Sequence, residues 1–358
     1  MINENRLVAT FCEMVQIDSP SGEEDEFCKY ISEKLLNLGF SVEEDSHGNV
    51  IASEEGVNPL ILSAHMDTVE PGRGIKPCIV DGIIRSDGDT ILGGDCKAGI
   101  AAIIESLHSL SEDGTIRIPI QVVLTRGEEL GLVGAKNLNM DLIRGKNGVV
   151  FDGNGPVNTV TMASPTYTSF EVKIRGKAAH AGVEPENGES AIRIASEIIS
   201  NLPQGRLDSE STFNVGTIEG GSVRNTVPEL AQFTGEFRSR NLETTELLRL
   251  QVVDVIEKVK SKYLKSEIYE QLAIEFHRYN LNESDDMVVW TKSVIERIGL
   301  KPMLVPSGGG TDANVFNQLG INCVVVGMAT NAMHTNEEYV PILDLVNTAR
   351  FCETLLTE

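Results

Sequence analysis

At 358 residues, with 41% hydrophobic and 23% charged residues and 33 glycines, the chain exceeds one ordinary core and lacks the bias of disordered or fibrous sequences, so two domains are expected. Thirty Lys and Arg against 53 Asp and Glu leave a formal charge of -23, which repels phosphate backbones and anionic lipid, so neither nucleic acid nor a membrane is an expected partner. The cysteines at 12, 28, 78, 96, 323 and 352 form no CxxC and no compact framework, and MINENRLVATFCEM has no basic region followed by an apolar stretch; a cytoplasmic address is expected.

Along the chain, short apolar runs at 59–63, 119–125 and 148–151 alternate with amphipathic segments, among them a helix over 97–110. That alternation predicts a mostly parallel sheet flanked by helices, an α/β fold. In the helix, Ile100, Ile103, Ile104, Leu107 and Leu110 form a core stripe, which leaves His108 as a solvated surface residue. From about Pro165 the style changes to long alternating strands, YTSFEVKIRG, STFNVGTIEGG and VPELAQFTGEFRSR, interleaved with helices near 190–201 and 244–260. This predicts an inserted βαββαβ unit. After about His277 the helix and buried-strand style returns, with 287–298 and 321–327. The expected division is therefore a discontinuous domain of residues 1–164 and 278–358 around an insertion at 165–277.

Chemistry-bearing residues follow the apolar runs. His65 and Asp67 stand in LILSAHMDTV, Glu128 and Glu129 in VVLTRGEELGLVGAK, Asp152 in VVFDGNG and His334 in ATNAMHTNEEYV, while the glycine pair of ILGGDCKAGIAA delivers Asp95 to a helix start. In an open α/β sheet the loops beyond the carboxyl ends of the strands converge on the ligand crevice, so these distant residues should meet. Each alone has an ordinary reading: a strand-end turn histidine, an N-cap aspartate, a solvated acidic pair. Together, two histidines and three carboxylates on comparable strand ends suit paired zinc or cobalt ions. Asp67 is suited to hold the second ring nitrogen of His65, and Glu128, pointing differently from Glu129, to act as a general base toward water.

Taken in order, HMDTV, GGDCKAG, TRGEELGLVGAK, FDG, GKAAHAG, SGGGTDAN and the histidine of NAMHTNEEY resemble the M20 metallopeptidases, most closely their peptidase T-like branch, over nearly the whole chain. The resemblance makes the discontinuous domain catalytic and the insertion a lid and dimerisation domain. It implies that Asp95 bridges two divalent ions, with His65 and Asp152 completing one site and Glu129 and His334 the other, while Asp67 orients His65. Glu128 is then the base that deprotonates the attacking water and later protonates the leaving amine. It also implies that His180 approaches the substrate carbonyl oxygen, that Asn225 and Arg238 contact a substrate carboxylate, and that the Asp95–Cys96 peptide bond is cis.

Gly309 lies in a run, 308–310, that lacks the Gly-Lys-Ser or Gly-Lys-Thr of a phosphate loop, so close backbone approach to substrate is its expected use. Two residues depart from the pattern. Many members of the family carry a second aspartate where this chain has Cys96, expected to be a small buried residue with its sulfur turned from the metals. His47, in DSHGNV, is expected to be a turn residue. The implied activity is a zinc-type aminopeptidase, with cobalt or manganese as other candidate ions, acting on short peptides such as tripeptides and dimerising through the lid. The alternative is an N-acyl amino acid deacylase. A non-catalytic binder is disfavoured by the presence of Glu128, and a two-metal phosphoesterase by the motif set and the acidic charge.

Overall fold

The structure, a computed structural model, describes residues 1–357. The chain forms two compact units. One comprises Met1–Ala163, Leu281–Ser307 and the residues from Thr311 onward; the other comprises Ser164–Asn280 with Gly308–Gly310.

In the first unit, four neighbouring strands, in the spatial order Ile120–Thr125, Leu60–His65, Asn147–Gly153 and Asn322–Gly327, are mutually parallel. All four are almost wholly buried, which explains why they read as unbroken apolar runs without alternation. Their flanks are antiparallel: Val50–Ser53 pairs with Ile120–Thr125, and Thr159–Ser164 pairs with Asn322–Gly327. Register aligns the functional end, since His65 pairs with Thr125 and Val326 with Phe151. Because the central strands are parallel, whatever follows each of them emerges at one edge of the sheet.

The helix Gly94–Glu112 packs on this sheet and against the helices Glu4–Val15 and Ile342–Leu356. The stripe Ile100, Ile103, Ile104, Leu107 and Leu110 is buried as expected, each side chain contributing roughly 1.5–3 kcal/mol. The helix is buried on its other sides too, where Ala98, Ala101, Ala102, Ser106 and Ser109 make room for neighbouring helices. Ser106 Oγ donates to the Ala102 and Ala349 carbonyls, at 2.6 and 2.8 Å. His108 is accordingly partly covered, not fully solvated. No helix among the described residues is long and apolar enough to cross a membrane.

The second unit is an antiparallel sheet in the order Gly205–Arg206, Ser211–Gly220, Leu230–Ser239, Thr166–Arg175 and Glu267–Phe276. The helices Ala191–Asn201 and Leu242–Lys262 cover one face. Period-two alternation sends Phe170, Val172 and Ile174 into that core beside Phe213, Phe233 and Phe237, and the Phe213 and Phe237 rings stack at 5.7 Å. Tyr167, Ser169 and Glu171 occupy the opposite face. Gly308–Gly310 packs on this unit: Ser164 Oγ donates to the Gly309 carbonyl at 2.8 Å, and a Cβ on Gly310 would lie 2.2 Å from the Phe276 ring.

Candidate metal centre

His65 ends one central strand, Asp152 is the penultimate residue of its neighbour Asn147–Gly153, Glu128 and Glu129 follow Ile120–Thr125, and His334 follows Asn322–Gly327. Asp95 arrives from the side at the start of its helix, where Gly93 adopts a left-handed φ of 73° and a Cβ on Gly94 would meet Thr330 Oγ1 at 2.8 Å. The Asp95–Cys96 peptide bond is cis. His334 has a left-handed φ of 62°, uncommon for a residue with a side chain though tolerated by histidine more than by most.

These residues form two donor groups that share Asp95. Its Oδ1 lies 3.0 Å from His65 Nε2, and its Oδ2 lies 3.2 Å from His334 Nε2. On the first side Asp152 Oδ1 stands 3.8 Å from His65 Nε2. On the second, Glu129 Oε1 stands 2.8 Å from His334 Nε2 yet has no partner of hydrogen-bond geometry among the described residues. Donor atoms from His65, Asp95, Cys96 and Asp152 lie within 4.8 Å of one another, and so do those from Asp95, Glu129 and His334. Glu128 adjoins both, grouped with His65 and Glu129.

The electrostatics ask for positive charge. Burial raises the Glu128 carboxyl well above its ordinary range, with the Asp152 charge adding to it. Burial does the same to Asp152, helped by Asp95, and pushes Asp312 up to about 6. The Asp95 and Glu129 carboxylates beside it push His334 up to about 10. Two histidines cannot offset this many buried carboxylates, whereas a pair of dications can. With its converging atoms and the unpartnered Glu129 oxygen, the donor set fits two divalent ions.

Outer contacts hold these groups. The His65 Nδ1 proton has the Asp67 main-chain carbonyl as its acceptor at 2.9 Å, while the Asp67 carboxylate stands 3.4 Å away. That carboxylate instead accepts the Glu128 and Glu129 amides, at 2.9 and 3.2 Å, and the Ser21 hydroxyl at 2.6 Å. Asp67 therefore fixes the glutamate loop as well as the imidazole. Cys96 corrects an expectation. Its sulfur is not turned away but lies 3.1 Å from both Asp95 Oδ1 and Asp152 Oδ1. The physical reason is local: Asp95 and Cys96 have non-helical backbone angles inside the helix start, which rotates the thiol toward the carboxylates.

Three residues escaped the sequence reading. Glu338, 1% exposed, accepts the amides of Leu92, Gly93 and Asp95 at 2.7, 2.8 and 3.1 Å and so clamps the loop that presents Asp95. Lys97 is buried, donates to the Ile17 carbonyl at 2.7 Å, stands over the Phe27 ring and is pushed down to about 7 by burial. Asp312 Oδ2 accepts from Thr125 Oγ1, while its Oδ1 has no partner among the described residues. Only Lys97 carried a signal, since a cation in the first turn of a helix opposes the macrodipole. His47 sits in the turn closed by Asp45, whose Oδ1 accepts the His47 and Asn49 amides.

The remaining candidates lie on the second unit. His180 and Asn225 are exposed neighbours, joined where the Ala181 amide donates to the Asn225 carbonyl at 3.0 Å. Arg238 grips Glu236 through Nε and Nη2 at 3.1 and 3.0 Å, stacks 4.4 Å from the Tyr167 ring centroid and turns Nη1 toward the Gly308 carbonyl. Within the run that holds Gly309, a Cβ on Gly310 would crowd the Phe276 ring.

A model of the peptidase dimerisation domain matches residues 163–264, and one of peptidase family M28 matches 49–189. The YqjE protein of Bacillus subtilis (strain 168) is 37% identical over 100% of this chain and 99% of its own. The crystal structure of aminopeptidase PepT from Bacillus cereus ATCC 10987 is 38% identical, with a TM-score of 0.88 over 99% of this chain and 98% of that one. A tripeptidase from Staphylococcus aureus subsp. aureus Mu50 is 35% identical, with a TM-score of 0.94 over 100% and 98%. The chain belongs to the M20 metallopeptidases, in their peptidase T-like branch. This M20 peptidase therefore carries its dimerisation-domain match on the inserted unit, while both donor groups lie in the discontinuous one. The family and the α/β fold with a mostly parallel central sheet agree with the sequence reading.

Proposed function

We propose that this metallopeptidase is a two-metal aminopeptidase that removes the N-terminal residue of short peptides, tripeptides among them, in the cytoplasm. The observation that carries the two-metal reading is the Asp95 carboxylate, whose oxygens face His65 and His334 separately. Asp95, His65 and Asp152 would hold one ion, and Asp95, Glu129 and His334 the other, zinc being the ion that suits this nitrogen and oxygen set, with cobalt or manganese as substitutes. When bound, such a pair polarises the scissile carbonyl and makes water acidic enough to attack at neutral pH. Glu128 takes the proton of the attacking water on its carboxylate, and burial favours that protonation. The same carboxyl then returns the proton to the leaving amine. Asp67 keeps Glu128 in register through its amide.

The similar structures, an aminopeptidase and a tripeptidase, support unblocked peptides as substrates over N-acyl amino acids. The dimerisation-domain match supports a homodimer through the inserted unit, and six free cysteines support a reducing compartment. The test is turnover of a mixed library of free and N-blocked peptides with added zinc, manganese or cobalt, read by mass spectrometry alongside metal analysis. Two ions per chain and release of free N-terminal residues from unblocked tripeptides are expected. Hydrolysis confined to N-blocked substrates would move the assignment to the deacylase.

Under this proposal His180, Asn225 and Arg238 are the inserted unit's substrate contacts, and Arg238 reads the peptide carboxylate. Its bidentate hold on Glu236 means that a carboxylate must compete for, or share, a guanidinium already in use. Arg238→Ala is expected to lower kcat/KM for free-carboxylate peptides by roughly 10 to 100-fold, the range of a charge-assisted hydrogen bond. C-terminally amidated peptides should lose little. Equal losses on both would assign Arg238 to the structural pair with Glu236.

A further inference from the structure

The sulfur of Cys96 has no place in the chemistry described so far, yet it lies inside the first donor group. We propose that the Cys96 thiolate is itself a ligand of the ion held by His65, Asp95 and Asp152, so that this half of the centre is a sulfur, nitrogen and oxygen site that selects zinc or cobalt over manganese and magnesium. The inference rests on the two-metal reading and extends it to the identity of the ion.

Two observations carry it. The first is spacing. Sulfur lies 3.1 Å from Asp95 Oδ1 and 3.1 Å from Asp152 Oδ1, while His65 Nε2 lies 3.0 and 3.8 Å from the same oxygens. A tetrahedral ion with sulfur at ~2.3 Å and nitrogen or oxygen at ~2.0–2.2 Å spaces its ligand atoms by roughly 3.3–3.7 Å. The measured separations straddle that range, and all four donors lie within 4.8 Å of one another. The side chain is fully buried, so the sulfur keeps this company without competition from bulk water.

The second is hydrogen-bond capacity. A thiol has one proton and is a weak donor, yet two carboxylate oxygens approach the sulfur equally. As a mere hydrogen-bonding residue Cys96 satisfies one of them and leaves the other against a lone pair. As a ligand it leaves neither unmet, because the ion stands among all four atoms in place of the proton. That proton leaves to solvent as the ion binds, as it does when any thiol becomes a ligand, and no oxidant or further reactant is required. Soft sulfur then biases the site toward zinc and cobalt, whereas an all-oxygen and imidazole set also accepts the harder manganese.

The test uses the full-length protein loaded with cobalt(II), with metal analysis on the same samples. The wild type is expected to show a thiolate-to-cobalt charge-transfer absorption, and Cys96→Ser and Cys96→Ala to lack it while keeping the circular dichroism of the wild type. In competition titrations Cys96→Ser should weaken one zinc ion by ~10-fold or more and change manganese binding by far less. A two-cobalt wild-type protein without the band overturns the proposal and leaves the two-metal reading standing. So does unchanged zinc affinity in Cys96→Ser. A wild type that takes up only one ion overturns the two-metal reading instead, and the band, present or absent, still decides whether Cys96 ligates that ion.

Discussion

Glu128→Ala is expected to lower kcat by ~10²-fold or more while both ions stay bound and KM changes little. General acid–base work by a positioned side chain contributes on that scale, and Glu128 lies outside the two donor groups that share Asp95 while adjoining His65 and Glu129. Its loop should survive truncation, because the hold on it is through main-chain amides: those of Glu128 and Glu129 both donate to Asp67. The substitution therefore removes the carboxylate and little else. Steady-state kinetics and metal content measured on one preparation decide the matter. Near-normal kcat would remove Glu128 as the base, and loss of an ion would reassign it as a ligand.

Asp95→Ala is expected to abolish turnover by a different route, through loss of the metal pair. Each ion depends on one oxygen of this carboxylate: without it Glu129 and His334 are too few to hold an ion tightly, while His65, Asp152 and Cys96 remain as a weakened set on the other side. The variant should resemble the chelator-treated wild type. Its melting temperature should rise less with added zinc than that of the wild type, since a ligand stabilises a fold only as far as it binds the native state. Retention of both ions per chain, or a zinc-dependent melting shift equal to that of the wild type, would show that Asp95 does not serve both groups.

Sequence and structure divide this site in an instructive way. His65, Asp152, Glu129 and His334 were legible because each stands at or beyond the end of an apolar run, and parallel strands deliver their following residues to one edge. Asp95 was legible from its glycine pair at a helix start. Cys96 was misread because its side-chain direction depends on two non-helical residues within an otherwise helical pattern, which periodicity cannot reveal. His108 lies off the core stripe as read but is half-buried, because the helix is packed on several sides.

The order of elements, the α/β character, the change of strand style near Pro165 and the residue types able to hold metal are properties of local pattern, and the sequence by itself determined them. Glu338 lies more than 240 positions from the amides it clamps, in an acidic stretch that reads as solvated. Its burial follows from the pairing of Tyr339–Pro341 with Ile83–Ser86, which only the fold brings about. The same holds for the stacking of Arg238 on Tyr167, which depends on cross-strand register, whereas its pairing with Glu236, two positions away on one strand face, is a local possibility. Periodicity and propensity act over a few residues, whereas long-range hydrogen-bond partners and side-chain directions are set by packing between segments far apart in the chain, and those the tertiary structure alone decided.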